Sequence, residues 1–141
     1  MAEALLAHYS AGRFKSLSAG SFPAGYVHPI SLGTLEKQGI ATEGFSSKSW
    51  NEFADEKIDI VITVCDNAAG ESCPLFLGKW VKAHWGVPDP AKFEGSEQEI
   101  ADEFLRVFHV LERRIQMLIH LPVEIMSEEK LKEKLTLIGG I

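Results

Sequence analysis

The sequence contains few cysteines, little positive charge and no long apolar segment. Its 141 residues include two cysteines, too few for the disulfide framework of a small secreted domain. Twenty acidic side chains outnumber fourteen basic ones, and the net charge of −6 disfavours binding to nucleic acid or anionic lipid. No stretch approaches the roughly 18 apolar residues of a membrane span, and the start has no basic region before an apolar run. These absences predict a soluble, cytoplasmic protein without nucleic-acid or membrane partners.

The hydrophobic content, in contrast, is high enough for a folded core. Hydrophobic residues make up 45% of the chain, which at this length fits one globular domain. The sequence contains no internal repeat, low-complexity tract or linker that would divide it. We therefore expect one compact domain with a buried core of its own.

The apolar pattern predicts helices that alternate with strands. The nearly continuous β-branched run at 58–64 is typical of a strand covered on both faces, as in parallel sheets. Further strands are expected at 14–19 and 80–85. Helices are expected at 1–9 and 29–38, with a helical turn at 50–53, a long helix from Ser96 to Pro122 and a shorter one from Ser127 to Gly139. This order predicts an α/β fold, an open parallel sheet flanked by helices.

Both cysteines follow the strand at 58–64, at the edge where ligands bind in such sheets. Cys65 and Cys73 are separated by a segment with a short Ala-Ala-Gly stretch, which is pliable enough to let their α-carbons approach to the roughly 7 Å of a disulfide. The pair can therefore cycle between thiols and a disulfide. Alternatively, Cys65 is a small buried residue and Cys73 a half-exposed loop thiol. A zinc site is disfavoured, because it needs four ligands and only His84 lies nearby.

Asp89 and His28 are the other candidate site residues. Asp89 lies between Pro88 and Pro90, which restrict the backbone and are expected to hold its carboxyl group over a cleft instead of letting it cap a helix. The alternative is an ordinary turn aspartate. His28 precedes the proline that opens a predicted helix, and we expect it to hold that loop through hydrogen bonds rather than to act in catalysis.

Several motifs resemble those of arsenate reductases built on the low-molecular-weight protein tyrosine phosphatase fold. They are Ser18-Ala19-Gly20-Ser21, Val27-His28-Pro29, the cysteine-containing segment from Val64 to Pro74, and His84-Trp85-Gly86 followed by Val87-Pro88-Asp89-Pro90. The resemblance extends from Met1 to about Leu121. It implies a three-layer sandwich of sheet and helices for residues 1–121, with residues 122–141 as an additional C-terminal helical extension.

The resemblance also implies a reaction, the reduction of arsenate to arsenite in arsenic detoxification. In the family a first thiolate attacks arsenate, a second attacks the adduct and releases arsenite, and a third takes over the disulfide for thioredoxin or a similar reductant. By position, Cys65 matches the second thiol and Cys73 the third. Asp89 matches the general acid that protonates the departing oxygen. The resemblance implies no cofactor and no metal site.

The family opens with a strand and a phosphate-binding loop of the form Cys-x5-Arg-Ser, which this sequence lacks. The first nucleophile is therefore absent from the 141 residues, as is the first strand, which in the family lies between those matching 14–19 and 58–64. We expect the native chain to start upstream, and residues 1–141 alone to be inactive. Two alternatives stay open. One is a phosphatase that needs Asp89 but neither cysteine, and the other is a non-catalytic remnant that binds a metalloid or a partner protein.

Overall fold

The sheet is built from the two apolar segments in the middle of the chain. The computed structural model describes residues 1–20, 24–64 and 79–141, and in them β1 (Ile60–Thr63) pairs in parallel with β2 (Val81–His84). The β-branched side chains of β1 favour an extended backbone. The strands predicted at 58–64 and 80–85 are confirmed, each being one or two residues shorter at its ends. Cys65 and Cys73 lie outside the described residues.

Helices flank this sheet and make up about half of the described chain. They are α1 (Ala2–Ser10), α2 (Pro29–Lys37), α3 (Glu97–Ile119) and α4 (Glu128–Gly139), with short 3₁₀ helices at Trp50–Phe53, Pro90–Lys92 and Val123–Ile125. The predicted α/β fold, a small open parallel sheet flanked by helices, is confirmed. In the described part of the chain, no helix combines the length and apolar character needed to cross a membrane.

Polar side chains cap the starts of α2 and α3, as Ser127 does at α4. At α3, the Ser96 hydroxyl accepts a hydrogen bond from the Glu99 N–H, and the Glu99 carboxylate accepts one from the Ser96 N–H, both at 3.2 Å. This exchange satisfies N–H groups that have no partner within the first turn. At α2, His28 Nδ1 accepts a hydrogen bond from the Ile30 N–H at 3.2 Å. The structural role predicted for His28 is therefore confirmed.

The strand predicted at 14–19 is absent from the structure. Within the described ranges this stretch has no strand beside it, and the nearest pairing is an isolated parallel bridge between Gly20 and Ser49. A strand is held by hydrogen bonds to a neighbouring strand, and side chains that favour extended backbone do not replace them. The prediction is wrong because it considered only the local composition.

The hydrophobic core lies between α3 and the elements that pack on it, which include α1, α2 and α4. The buried apolar face of α3 consists of Phe104, Val107, Phe108, Leu111, Ile115 and Leu118. Leu131, Leu135 and Ile138 of α4 belong to the same cluster of buried residues as Leu5 of α1. Burial of these faces stabilises the helices more than their intrinsic propensity does. The C-terminal helix therefore completes the core, and the division of the chain at residue 121 stays a prediction.

Candidate active site at the ends of the strands

The two strands end side by side, and their main chains stay together beyond the sheet. Thr63 is the register partner of His84, the N–H of Trp85 donates to the Thr63 carbonyl at 2.7 Å, and the N–H of Val87 donates to the Val64 carbonyl at 3.0 Å. Val64 immediately precedes the first cysteine, and Val87 lies two residues before Asp89. Val64, which leads into the cysteine segment, and the loop that carries Asp89 therefore lie at the same edge of the sheet.

The two cysteines lie outside the described residues, so their predicted roles stay predictions. The structure does describe Val64, the residue immediately before Cys65. Val64 is half-buried against the core, and its carbonyl is held by Val87. The chain therefore leaves the sheet from a fixed point next to the Asp89 loop.

A hydrogen bond between side chains marks the last residues of the strands. The Thr63 hydroxyl lies 2.8 Å from His84 Nδ1, with the threonine buried and the histidine exposed. Direct neighbours in a parallel register present their side chains on the same face of the sheet, which brings these two groups together. The sequence singled out His84 as part of the His84-Trp85-Gly86 motif and as a weak zinc ligand. Its pairing with Thr63 depends on the strand register, which the sequence does not display.

Asp89 is exposed, and its carboxylate caps the 3₁₀ helix Pro90–Lys92 by accepting a hydrogen bond from the Ala91 N–H at 3.0 Å. The expectation that the flanking prolines prevent capping is wrong. A residue before proline is driven into the extended region, and Asp89 has φ −72° and ψ 111°. This is also the conformation of a helix-capping residue, and a proline at the next position needs no partner for an N–H. The described neighbours leave the carboxylate in solvent, and its role as general acid stays a prediction.

The loop between β2 and Asp89 is anchored from behind by buried side chains. Trp85 is 1% exposed, and its indole N–H donates to the Leu135 carbonyl at 2.9 Å. Arg114 of α3 donates from Nη1 to the carbonyls of Trp85 and Gly86, at 3.1 and 3.4 Å. Burial lowers the pKa of Arg114, and the neighbouring positive charge of Arg113 lowers it further. Trp85 is therefore a core residue that fixes the start of the loop.

A polar cluster lies at the beginning of α1. The Glu3 carboxylate accepts a hydrogen bond from the Ser18 hydroxyl and lies 3.7 Å from Lys48 Nζ, while its main-chain carbonyl accepts one from Ser16 at 2.9 Å. The sequence singled out Ser18 through its motif but gave no signal for Glu3 or Lys48, because their proximity arises only in the fold. The cluster contains one carboxylate, and across residues 1–20, 24–64 and 79–141 no three His, Cys, Asp or Glu side chains gather where they could hold a metal ion.

Comparison with known proteins identifies relatives of the chain. The sequence model of the family described as "Low molecular weight phosphotyrosine protein phosphatase" matches residues 1–136. Arsenate reductases of Halalkalibacterium halodurans and Shouchella clausii are each 32% identical over 116 residues, which cover 82% of this chain and 82% of theirs. The arsenate reductase of Bacillus subtilis is 29% identical with the same coverage. These matches confirm the resemblance carried by the motifs, and the chain belongs to the low molecular weight phosphotyrosine protein phosphatase family.

Proposed function

We propose that this chain takes part in the reduction of arsenate to arsenite, with Cys65 and Cys73 as relay thiols and Asp89 as the proton donor. The observation that carries the proposal is the hydrogen bond between the Val87 N–H and the Val64 carbonyl. It starts the cysteine segment next to the loop that bears Asp89. The curated relatives support the substrate, since they are named arsenate reductases.

The proposed relay transfers two electrons from sulfur to arsenic. A first thiolate attacks arsenic(V), and an oxygen leaves as water with a proton from Asp89. The Cys65 thiolate then attacks the sulfur of this adduct. A disulfide forms, the sulfur–arsenic bond breaks with its electron pair on arsenic, and arsenic(III) leaves as arsenite. The Cys73 thiolate attacks the Cys65 sulfur, which releases the first thiol and leaves a Cys65–Cys73 disulfide for thioredoxin or a similar dithiol. The relay needs a reducing compartment, so a cytoplasmic location is part of the proposal.

The first thiolate in this scheme comes from outside residues 1–141. In a Cys-x5-Arg sequence based on either cysteine, the arginine would stand at position 71 or 79, and these positions hold Glu71 and Lys79. Neither cysteine therefore has the arginine that grips an oxyanion in the family loop. The proposal accordingly assigns the relay and the proton donor to this chain, and the oxyanion-binding nucleophile to a preceding Cys-x5-Arg-Ser segment.

The experiment measures arsenate-dependent oxidation of thioredoxin by residues 1–141 and by the chain with an upstream strand and Cys-x5-Arg-Ser loop. We expect turnover only from the extended chain, and its loss in Cys65→Ser, Cys73→Ser and Asp89→Asn variants. Asp55→Asn is the matched control, because Asp55 is also an exposed aspartate but lies before β1. Turnover by residues 1–141 alone, or full activity of the Cys73→Ser variant, would contradict the proposal.

A second candidate function is phosphatase activity on phosphotyrosine or small phosphate esters, favoured by the description of the matching family. Such a reaction needs the upstream nucleophile and Asp89 but neither cysteine of this chain. Cys73→Ser separates the two functions, since arsenate turnover should collapse while hydrolysis of p-nitrophenyl phosphate persists. A non-catalytic remnant would oxidise no thioredoxin even with the upstream segment present.

A further inference from the structure

The guanidinium group of Arg114 is buried behind the loop that leads to Asp89. The residue is 7% exposed and lies on the core-facing side of α3. Besides its bonds to the carbonyls of Trp85 and Gly86, it donates from Nε and Nη2 to the main-chain oxygen of Ile141, at 3.3 and 3.2 Å. One side chain thus connects α3, the turn after β2 and the residues that follow α4.

Burying a cation at this position is costly if its only task is to fill space. Two acceptors of Arg114, the carbonyls of Trp85 and Gly86, are neutral, and a buried cation among neutral acceptors is harder to accommodate than an apolar side chain of similar size. Its neighbours on the same helix face, Leu111 and Ile115, are apolar. The guanidinium does supply several N–H groups in a fixed geometry to carbonyls beyond the end of β2, which require donors.

We propose that Arg114 is a positioning residue for Asp89, because it holds the carbonyls of Trp85 and Gly86 and so fixes the main chain that leads to the carboxyl group. The proposal rests on the role proposed for Asp89 above. Because the φ angles of Pro88 and Pro90 are restricted, the direction of the main chain at Gly86 largely determines where Asp89 lies. The Val87 hydrogen bond to Val64 also holds this loop, closer to Asp89 than the Trp85 hydrogen bond to Thr63.

Amide hydrogen exchange tests whether Arg114 holds the loop, without any need for activity. In the Arg114→Met variant, exchange at the Val87 amide should accelerate by about tenfold or more, because the adjoining carbonyls lose a charged donor. Arg114→Lys keeps the charge but not the fork of donors, and an intermediate effect is expected even if the methionine variant fails to fold. Arg113→Met is the matched control, since Arg113 is the exposed neighbour on the same helix. Unchanged Val87 protection in folded Arg114 variants overturns the proposal.

A double-mutant cycle tests whether this tether acts through Asp89. In the chain with its upstream segment, Arg114→Lys should lower kcat for p-nitrophenyl phosphate or arsenate by about tenfold with little change in KM. Added to Asp89→Asn, it should cause little further loss, since a misplaced acid and an absent acid fail in the same way. If the losses of activity from the two substitutions are fully additive, Arg114 does not act through Asp89. That result overturns the positioning role and leaves the proposed function standing. If the wild-type extended chain turns over neither substrate, the proposed function fails and the role of Arg114 fails with it, whatever the exchange at Val87.

Discussion

Arg13 and Glu124 form a two-pronged ion pair that joins the end of α1 to the segment after α3. Arg13 Nε lies 2.7 Å from Glu124 Oε1, and Nη2 lies 2.8 Å from Oε2. The guanidinium also donates to the carbonyls of Ile119 and Leu121. Paired donors of this kind hold a carboxylate in its charged form more strongly than a single contact does.

This pair predicts a loss of stability in acid. The hydrogen bonds from Arg13 lower the pKa of Glu124 from 4.5 to about 2. Because the folded state holds the charged form, the stabilisation is complete above pH 4.5 and is lost as the pH falls towards 2. We expect the free energy of unfolding, measured in urea between pH 7 and 2, to decline less steeply for Glu124→Gln than for the wild type. Exposed Glu129 provides the control variant Glu129→Gln, and equal slopes for Glu124→Gln and wild type would contradict the prediction.

The close approach of α4 to β2 predicts that Gly139→Ala is destabilising. A Cβ at position 139 would lie 2.7 Å from the His84 carbonyl oxygen and 2.8 Å from Trp85 Cδ1. Alanine normally stabilises a helix relative to glycine. The crowding at position 139 should outweigh this gain, and we expect the free energy of unfolding to fall by about 1–3 kcal/mol. Gly140→Ala is the matched control, because its Cβ would approach no atom closer than 3.5 Å. Thermal and urea unfolding check the pair, and a Gly139→Ala variant as stable as Gly140→Ala would show that α4 can shift freely.

Two substitutions at Asp89 separate its capping role from its proposed chemistry. Asparagine can still accept the hydrogen bond from the Ala91 N–H but has no acidic proton for general-acid catalysis, whereas alanine can do neither. We expect Asp89→Ala to lower the free energy of unfolding by about 1 kcal/mol and Asp89→Asn to leave it nearly unchanged. Both should impair turnover by the chain with its upstream segment. Equal stability of the two variants in urea would mean that the cap contributes nothing.

The hydrogen bond between Thr63 and His84 predicts a modest, local effect of Thr63→Val. Valine keeps the shape of the threonine and removes the hydroxyl, so the strand pairing should persist while one hydrogen bond is lost, for about 1 kcal/mol. The NMR signals of the His84 ring should shift in this variant. Thr136→Val on the exposed face of α4 is the control, since its hydroxyl bonds within its own helix. Unmoved His84 signals would refute the side-chain contact.

The sequence predicts best those elements whose signals are local. The reciprocal cap at Ser96 and the apolar spacing that follows locate α3, and the β-branched run locates β1. The stretch at 14–19 is mispredicted, because a strand requires a partner that composition does not reveal. The capping by Asp89 is missed, because the same prolines that restrict a loop also suit the start of a 3₁₀ helix.

For a related reason, the sequence predicts only some of the residues of the candidate site. The motif at His84 to Pro90 indicates the loop of Asp89, but Arg114 lies 25 positions beyond Asp89, on a helix face that is otherwise apolar. The role of a polar residue on such a face can be inferred only from the fold, which shows the carbonyls that it contacts. The relay roles of Cys65 and Cys73 depend on residues outside the described ranges, and they stay predictions until the substitutions above are made.

The bond between Val64 and Val87 makes the two halves of the proposed chemistry mechanically coupled. Any displacement of the backbone at Val64 is transmitted to Val87, or else this contact breaks. A substitution that displaces the main chain at Val64 should therefore also displace the main chain at Val87, two residues before Asp89. The proposed thiol relay and the proposed proton donor would then both be sensitive to one and the same structural change.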